Sequence, residues 1–243
     1  MTNELQKKLD NQGHRQRVKE KVVKDGVNNM ADYELLEVLL MHAIPRRDVK
    51  PIAKELLRRF GSFAKVINAP LSELTKVNWV KKNTYILFQV IAAAVQRICR
   101  ENLGDSNEIS FLTDEALVDY CRATMAYAEV EQLRLIYLDA DLKMIDDELL
   151  QKGTLSSVSV FPREIVAHAL SKQAASIILV HNHPSDNVKP SMADKNLTEQ
   201  IYRACKLMDI ELQEHIIIGK TDYFSFAKSG ILNDIRRRLG CRW

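Results

Sequence analysis

Apolar residues recur at helical spacing through the first hundred positions, and the pattern turns strand-like beyond them. In "ADYELLEVLLMHAI", Leu35, Leu36, Val38, Leu39 and Leu40 follow Ala31 and Asp32, either of which stands where a helix cap is needed. "VKPIAKELLRRFG" sets Ile52, Leu56 and Leu57 at helical spacing. Arg58 and Arg59 complement the negative end of that helix, and Gly61 stops it. "PLSELTKV" and "TYILFQVIAAAVQRICR" predict two further helices on either side of "NWVKKN". No strand-like alternation precedes residue 105.

Downstream, "LTDEALVDYCRATMA" predicts a helix capped by Thr113, with Asp114 and Glu115 in its first turn. "EQLRLIYLDADLKMIDDELLQKG" predicts two strands, the first with Leu133, Leu135 and Tyr137 on one face. "FPREIVAHAL" opens a helix on Pro162, a residue suited to the first helical position. "AASIILVHN" is a short continuous apolar run, hence a buried central strand. A long amphipathic helix over "SMADKNLTEQIYRACKLM" follows, then strands in "IELQEHIIIG" and "YFSF". Strands alternating with helices predict an α/β (α+β) fold around a central sheet. The polar stretch "RENLGDSNEIS" separates the two patterns, so a helical domain over 1–104 and a sheet domain over 105–243 are expected.

Composition changes this picture little: 243 residues, 46% hydrophobic and 28% charged, suit a globular chain with a sizeable core. Apolar runs such as "ASIILV" are too short to span a bilayer, and "MTNELQKKLDNQGHRQR" lacks the apolar stretch of an export signal. Cys99, Cys121, Cys205 and Cys241 form no CxxC pair and read as reduced thiols, so a cytoplasmic location without membrane contact is expected. Charge changes it more. Residues 1–104 hold 19 Lys and Arg against 11 Asp and Glu, whereas the remainder holds 16 against 21. A basic half can face nucleic acid or can be a solvated helical surface, and charge alone leaves both open.

The candidate chemistry lies in "VHNHPSDNVKPSMAD", residues 180–194. His181 ends the predicted central strand, and His183 lies two residues on, so the two imidazoles can share one side of the sheet edge. Pro184 and Pro190 stiffen the seven-residue loop that follows, and Asp194 falls in the first turn of the next helix. Two histidines and a carboxylate with a fourth position open form a catalytic rather than a structural zinc pattern. Ser191-x-x-Asp194 by itself is only a helix-capping pattern. The conjunction of buried strand, HxH, constrained loop and SxxD favours a metal, and Asp194 can serve cap and metal with different oxygens.

His181-x-His183, seven residues, then Ser191-x-x-Asp194 resembles the JAMM (MPN+) metallopeptidase motif at every fixed position. The flanking "KGTLSSVSVFPREIVAHAL" and "EHIIIG…YFSF", with "YELLEVLLMHAIPRRDVKPIAKELLRRFGSF" upstream, resemble the bacterial RadC branch, from about Gly13 to Leu232. The resemblance implies a mixed, cytidine-deaminase-like sheet domain behind a helix-hairpin-helix-like domain. It also implies Zn2+ held by His181, His183 and Asp194, an oxyanion supported by Ser191, and Glu131 as the base that deprotonates the attacking water. The strand pattern agrees on Glu131, which shares the parity of Leu133, Leu135 and Tyr137. Glu129 precedes that strand, Glu148 lies on another element, and Glu164 suits a helix first turn. The implied activity is hydrolysis of a peptide or isopeptide bond.

Several positions depart from the family pattern. Asp186 stands in place of glycine, although Asp and the next residue, Asn187, tolerate left-handed turns. Glu214 replaces an aspartate, and the adjacent His215 fits a satisfied sheet histidine better than a partner to the site; His168 and His42 read as structural. The hairpin Val77–Lys81 has no glycine, which argues against close backbone approach to phosphate, while Lys76, Lys81 and Lys82 can still supply charge. The alternative function is a DNA-binding accessory factor of repair or recombination, its metal structural or acting on phosphodiesters. A phosphoesterase is a weaker third reading, because such sites usually recruit more carboxylates and a second metal. Substrate, oligomeric state and the order of the tail "IRRRLGCRW" are beyond the sequence.

Overall fold

The helical period of the N-terminal half is realised as α1 (Asn3–Asp25), α2 (Asp32–Ala43), α3 (Lys50–Phe60), α4 (Phe63–Ile67), α5 (Leu71–Leu74) and α6 (Lys82–Gly104) in a computed structural model that describes residues 3–104, 115–153 and 161–240. The chain divides into two compact units at Ala94/Val95, a point within α6. The predicted stop at Gly61 is met in the left-handed conformation, with φ of 88°. The Ala31 amide at the start of α2 is taken up by the Glu34 carboxylate at 3.0 Å, not by a side chain of the capping residue itself. "PLSELTKV" yields only the single turn of α5, because Val77 and Val80 then turn into the core. Leu36, Leu40, Leu56, Val66, Leu74 and Phe88 form the centre of this unit.

Helix α1 lacks a continuous apolar stripe; Val18 packs against the core, and polar contacts complete the docking. Arg15 donates to the carbonyls of Met41 and Ile44 at 2.9 and 2.8 Å, satisfying the exposed end of α2. His14 meets the buried Glu37 carboxylate at 2.7 Å.

The second unit holds α7 (Glu115–Met125), β1 (Gln132–Leu138), β2 (Met144–Lys152), α8 (Pro162–Ser171), β3 (Ser176–Asn182), α9 (Met192–Lys206), β4 (Glu211–Ile218), β5 (Tyr223–Ser225) and α10 (Ile231–Gly240). The cap assigned to Thr113, with Asp114, lies outside the described residues, as does the tail beyond Gly240. The sheet is mixed, in the order β2-β1-β3-β4-β5, with only β3 and β4 parallel. Leu133, Leu135, Tyr137, Ile177 and Leu179 face α8 and α9 through Ile165, Ala169, Ile201 and Cys205. Ile136, Leu138, Ile178 and Val180 face α7 through Leu117, Val118 and Cys121. Covered on both faces, β3 is apolar at every position from Ile177 to Val180, which is why its run does not alternate. Burial raises the Cys121 and Cys205 thiols to about 12, and both are free. Among the described residues no helix is long and apolar enough to cross a membrane.

Candidate metal centre

Strand periodicity puts His181 on the α8/α9 face with Ile177 and Leu179, and His183 follows just past the strand end. The loop returns to the same spot as α9 begins. One ligand atom from each of His181, His183 and Asp194 lies within 4.8 Å of the others, and this group could hold a metal ion. His181 Nε2 is 3.0 Å from His183 Nε2 and 3.3 Å from Asp194 Oδ1, and His183 Nε2 is 3.8 Å from Asp194 Oδ2. Ligands about 2.0–2.1 Å from a tetrahedral zinc stand about 3.3 Å apart, so the triangle is close to the required size.

Hydrogen bonding around the triangle decides where the protons are. The Thr198 hydroxyl donates to the Asp194 carbonyl at 2.6 Å, so at 2.7 Å it accepts from His215 Nδ1. Burial keeps His215 well below the ordinary histidine range and therefore neutral. With Nδ1 protonated, His215 Nε2 is an acceptor, and its partner at 2.8 Å is His181 Nδ1. His183 Nδ1 donates to the Asn187 carbonyl at 2.6 Å. Both Nε2 atoms therefore carry lone pairs toward the Asp194 carboxylate. Three electron-rich atoms that meet in a nearly buried space repel one another unless a proton or a cation lies between them, and a divalent metal matches that donor set. His215 is thus a partner of the site, contrary to the sheet-histidine expectation; its place on β4, parallel to β3, brings it there.

Ser191 caps α9. Its hydroxyl accepts from the Asp194 amide at 3.2 Å and donates to Asp194 Oδ2 at 2.7 Å, while Oδ1 faces His181. Burial alone would raise the Asp194 carboxyl, but the neighbouring His181 and the hydrogen bonds from the Ser191 hydroxyl and amide hold it well below the usual carboxylate range. Asp186 adopts the left-handed conformation, with φ of 66°, as its residue type allows. Its carboxylate accepts from the Thr221 amide at 3.1 Å, the Thr221 hydroxyl at 3.0 Å and the Lys220 amide, clipping the histidine loop to the β4–β5 turn. The turn carries Gly219 because a Cβ there would lie 2.5 Å from Asp186 Oδ1 and 2.9 Å from Val188.

Glu131 lies just before β1 and outside the group of three. Leu133 pairs with His181 in the antiparallel register, so Glu131 enters β1 at the same end at which His183 leaves β3. The buried Asn182 holds this end of β1: its side chain accepts from the Gln132 amide at 2.8 Å and donates to the Val130 carbonyl at 3.2 Å. Glu131 is gripped on both sides, and its own carbonyl accepts from Gly153 at 2.8 Å. Sequence reading missed Asn182 and Thr198. Thr198 had a signal, since it stands one helical turn after Asp194 and so on the same face. The buried Glu214 accepts from the His215 and Ala227 amides and from Ser225 Oγ, a sheet role that the spacing did not suggest.

A mixed sheet whose central strand ends in HxH, with SxxD opening the following helix, defines a JAB-type domain, and comparison with known proteins agrees. Residues 111–231 match the RadC-like JAB domain and residues 10–86 match the UPF0758 N-terminal family. A UPF0758 protein of Ruegeria pomeroyi is 41% identical over 219 residues, covering 90% of this chain and 97% of the relative. Another from Fusobacterium nucleatum is 40% identical over 228 residues, covering 92% and 98%. The chain belongs to the UPF0758 family and carries that family's RadC-like JAB domain.

Proposed function

We propose that this protein is a zinc-dependent hydrolase of peptide or isopeptide bonds. The observation that carries the reading is the convergence of two Nε2 lone pairs and a carboxylate, with both histidine tautomers set by outer hydrogen bonds. His181, His183 and Asp194 would hold Zn2+, which when bound lowers the pKa of a water in its open position toward 7. Glu131, held by Asn182 at the end of β1, takes the proton of the attacking water and delivers it to the leaving nitrogen. The Ser191 hydroxyl turns from Asp194 toward the substrate oxygen and stabilises the oxyanion, a donor worth about 10²–10³ in rate. The partner is a protein or peptide with an accessible amide.

Elemental analysis of the purified protein and of His183→Ala and Asp194→Ala comes first. About one zinc per chain, lost in both variants, supports the site. A screen of peptide and isopeptide substrates follows, with Glu131→Gln as control. Zinc-loaded protein that cleaves none of them, or that cleaves phosphodiesters instead, would overturn the assignment.

A further inference from the structure

The hairpin between α5 and α6 closes on itself, with the Val80 amide donating to the Val77 carbonyl at 3.2 Å. Val77 and Val80 are buried in the helical core, which leaves Asn78 and Trp79 outside. Trp79 occupies the third position of this turn with φ of 72°, a left-handed conformation that favours glycine or asparagine. Trp79 is 52% exposed, so burial offsets the backbone strain only in part. About half of the residue stays in water, where folding gains nothing from an indole.

What surrounds the ring indicates another use. The Arg47 guanidinium lies 3.3 Å from the ring centroid, bringing the α2–α3 loop to the hairpin. Arg47, of the exposed pair Arg46–Arg47, thereby reaches an indole that stands two residues before a second exposed basic pair, Lys81–Lys82. The ion pairs of this unit use Lys21, Arg58, Arg59, Lys76 and His14. Among the described residues Arg46, Arg47, Lys81 and Lys82 take part in none. The adjacent carboxylate, Asp48, accepts from the Lys50 amide at 3.0 Å.

We propose that Trp79 is a stacking platform for single-stranded nucleic acid, with Arg46, Arg47, Lys81 and Lys82 neutralising its phosphates. Arg47 covers one side of the ring, and an unpaired base lies on the exposed remainder. Stacking on aromatic faces combined with cationic contact to the backbone is how sequence-tolerant single-strand binding works. A duplex hides its base faces, and a bulky indole at the turn holds a duplex backbone away from the hairpin amides. The ligand is therefore an unpaired strand.

The test is titration of a short dye-labelled oligothymidylate with the full-length chain, reading the label's anisotropy for every variant and, in a Trp243→Phe background with Trp79 intact, Trp79 emission. Quenching that saturates, with affinity falling as salt rises, is expected. Trp79→Gly relieves the turn, so it should fold at least as well as wild type yet bind about 5- to 150-fold more weakly, the range of one lost base stack. Trp79→Phe should recover part of that loss. Lys81→Ala/Lys82→Ala should flatten the slope of log affinity against log salt by about 1.4. Oligouridylate run in parallel distinguishes RNA from DNA, and preference for either supports the proposal. A Trp79→Gly variant that binds like wild type, a duplex that binds more tightly than the single strand, or no binding at low salt would each overturn it. So would loss of binding in Trp79→Gly that merely tracks a loss of thermal stability.

Discussion

In the sheet unit, two imidazoles, a third behind them, a hydroxyl and a carboxylate are packed together, and the outer atom of each ring has a named partner. In the helical unit Arg46, Arg47, Lys81 and Lys82 lie at the surface, and Arg47 stacks on an exposed indole. The difference is one of solvation. Buried polar atoms must be satisfied by protein, so their hydrogen bonds form a chain in which each link restricts the next. Surface cations are satisfied by water and keep their freedom until a ligand takes the water's place. Function and stability are consequently coupled in the sheet unit and separable in the helical one.

The largest break in that comparison comes from the residue with the most direct chemical role. Glu131→Gln is expected to lower kcat by about 10²–10⁴ while zinc content stays unchanged, measured by steady-state hydrolysis beside elemental analysis. Loss of zinc in this variant would mean that Glu131 belongs to the ligand set. Next is Thr198→Val, which leaves the metal ligands intact but removes the acceptor that orients His215. Zinc affinity, read by competition with a chromophoric chelator, should fall about 10- to 100-fold. Unchanged affinity would show that His215 and His181 keep their tautomers without it.

Smaller effects sharpen the contrast. Gly219→Ala forces a methyl against Asp186 and Val188 and should destabilise the protein by about 1–3 kcal/mol in urea unfolding. In an Asp186→Gly background the same substitution should cost less, because one of the two clashing side chains is gone. Additive costs would place the strain elsewhere in the turn. The smallest expected change in stability is that of Trp79→Gly, within about 1 kcal/mol of wild type and on the stabilising side, since it relieves a left-handed backbone on the surface. A marked loss in thermal unfolding would mean that the Arg47–Trp79 stack ties the α2–α3 loop to the hairpin for structural reasons.

Local pattern was enough wherever the deciding interaction is local. Helical periods, strand alternation and short apolar runs located most of the helices and every strand, Gly61 marked a helix end, and the spacing of His181, His183, Ser191 and Asp194 held the candidate ligands and the cap of α9. The parity of Glu131 with Leu133 was legible in the sequence, and the structure sets Glu131 just before β1. Helix α1 escaped because a pair of polar anchors, Arg15 and His14, leaves no apolar period to read.

The amino-acid sequence by itself thus determined the elements, the change of architecture along the chain and the residue types that a metal would need. Only the tertiary structure decided how those residues are oriented. His215 reaches His181 across 34 positions because β4 lies beside β3, and Asn182 grips the flanks of Glu131 across about 50 because β1 lies on the other side. Arg47 finds Trp79 only when the α2–α3 loop is folded against the hairpin. Spacing along a chain fixes which side chains share an element, but the order of strands and the docking of helices settle which elements meet. Where the meeting groups are buried, hydrogen-bond saturation then sets the protons as well.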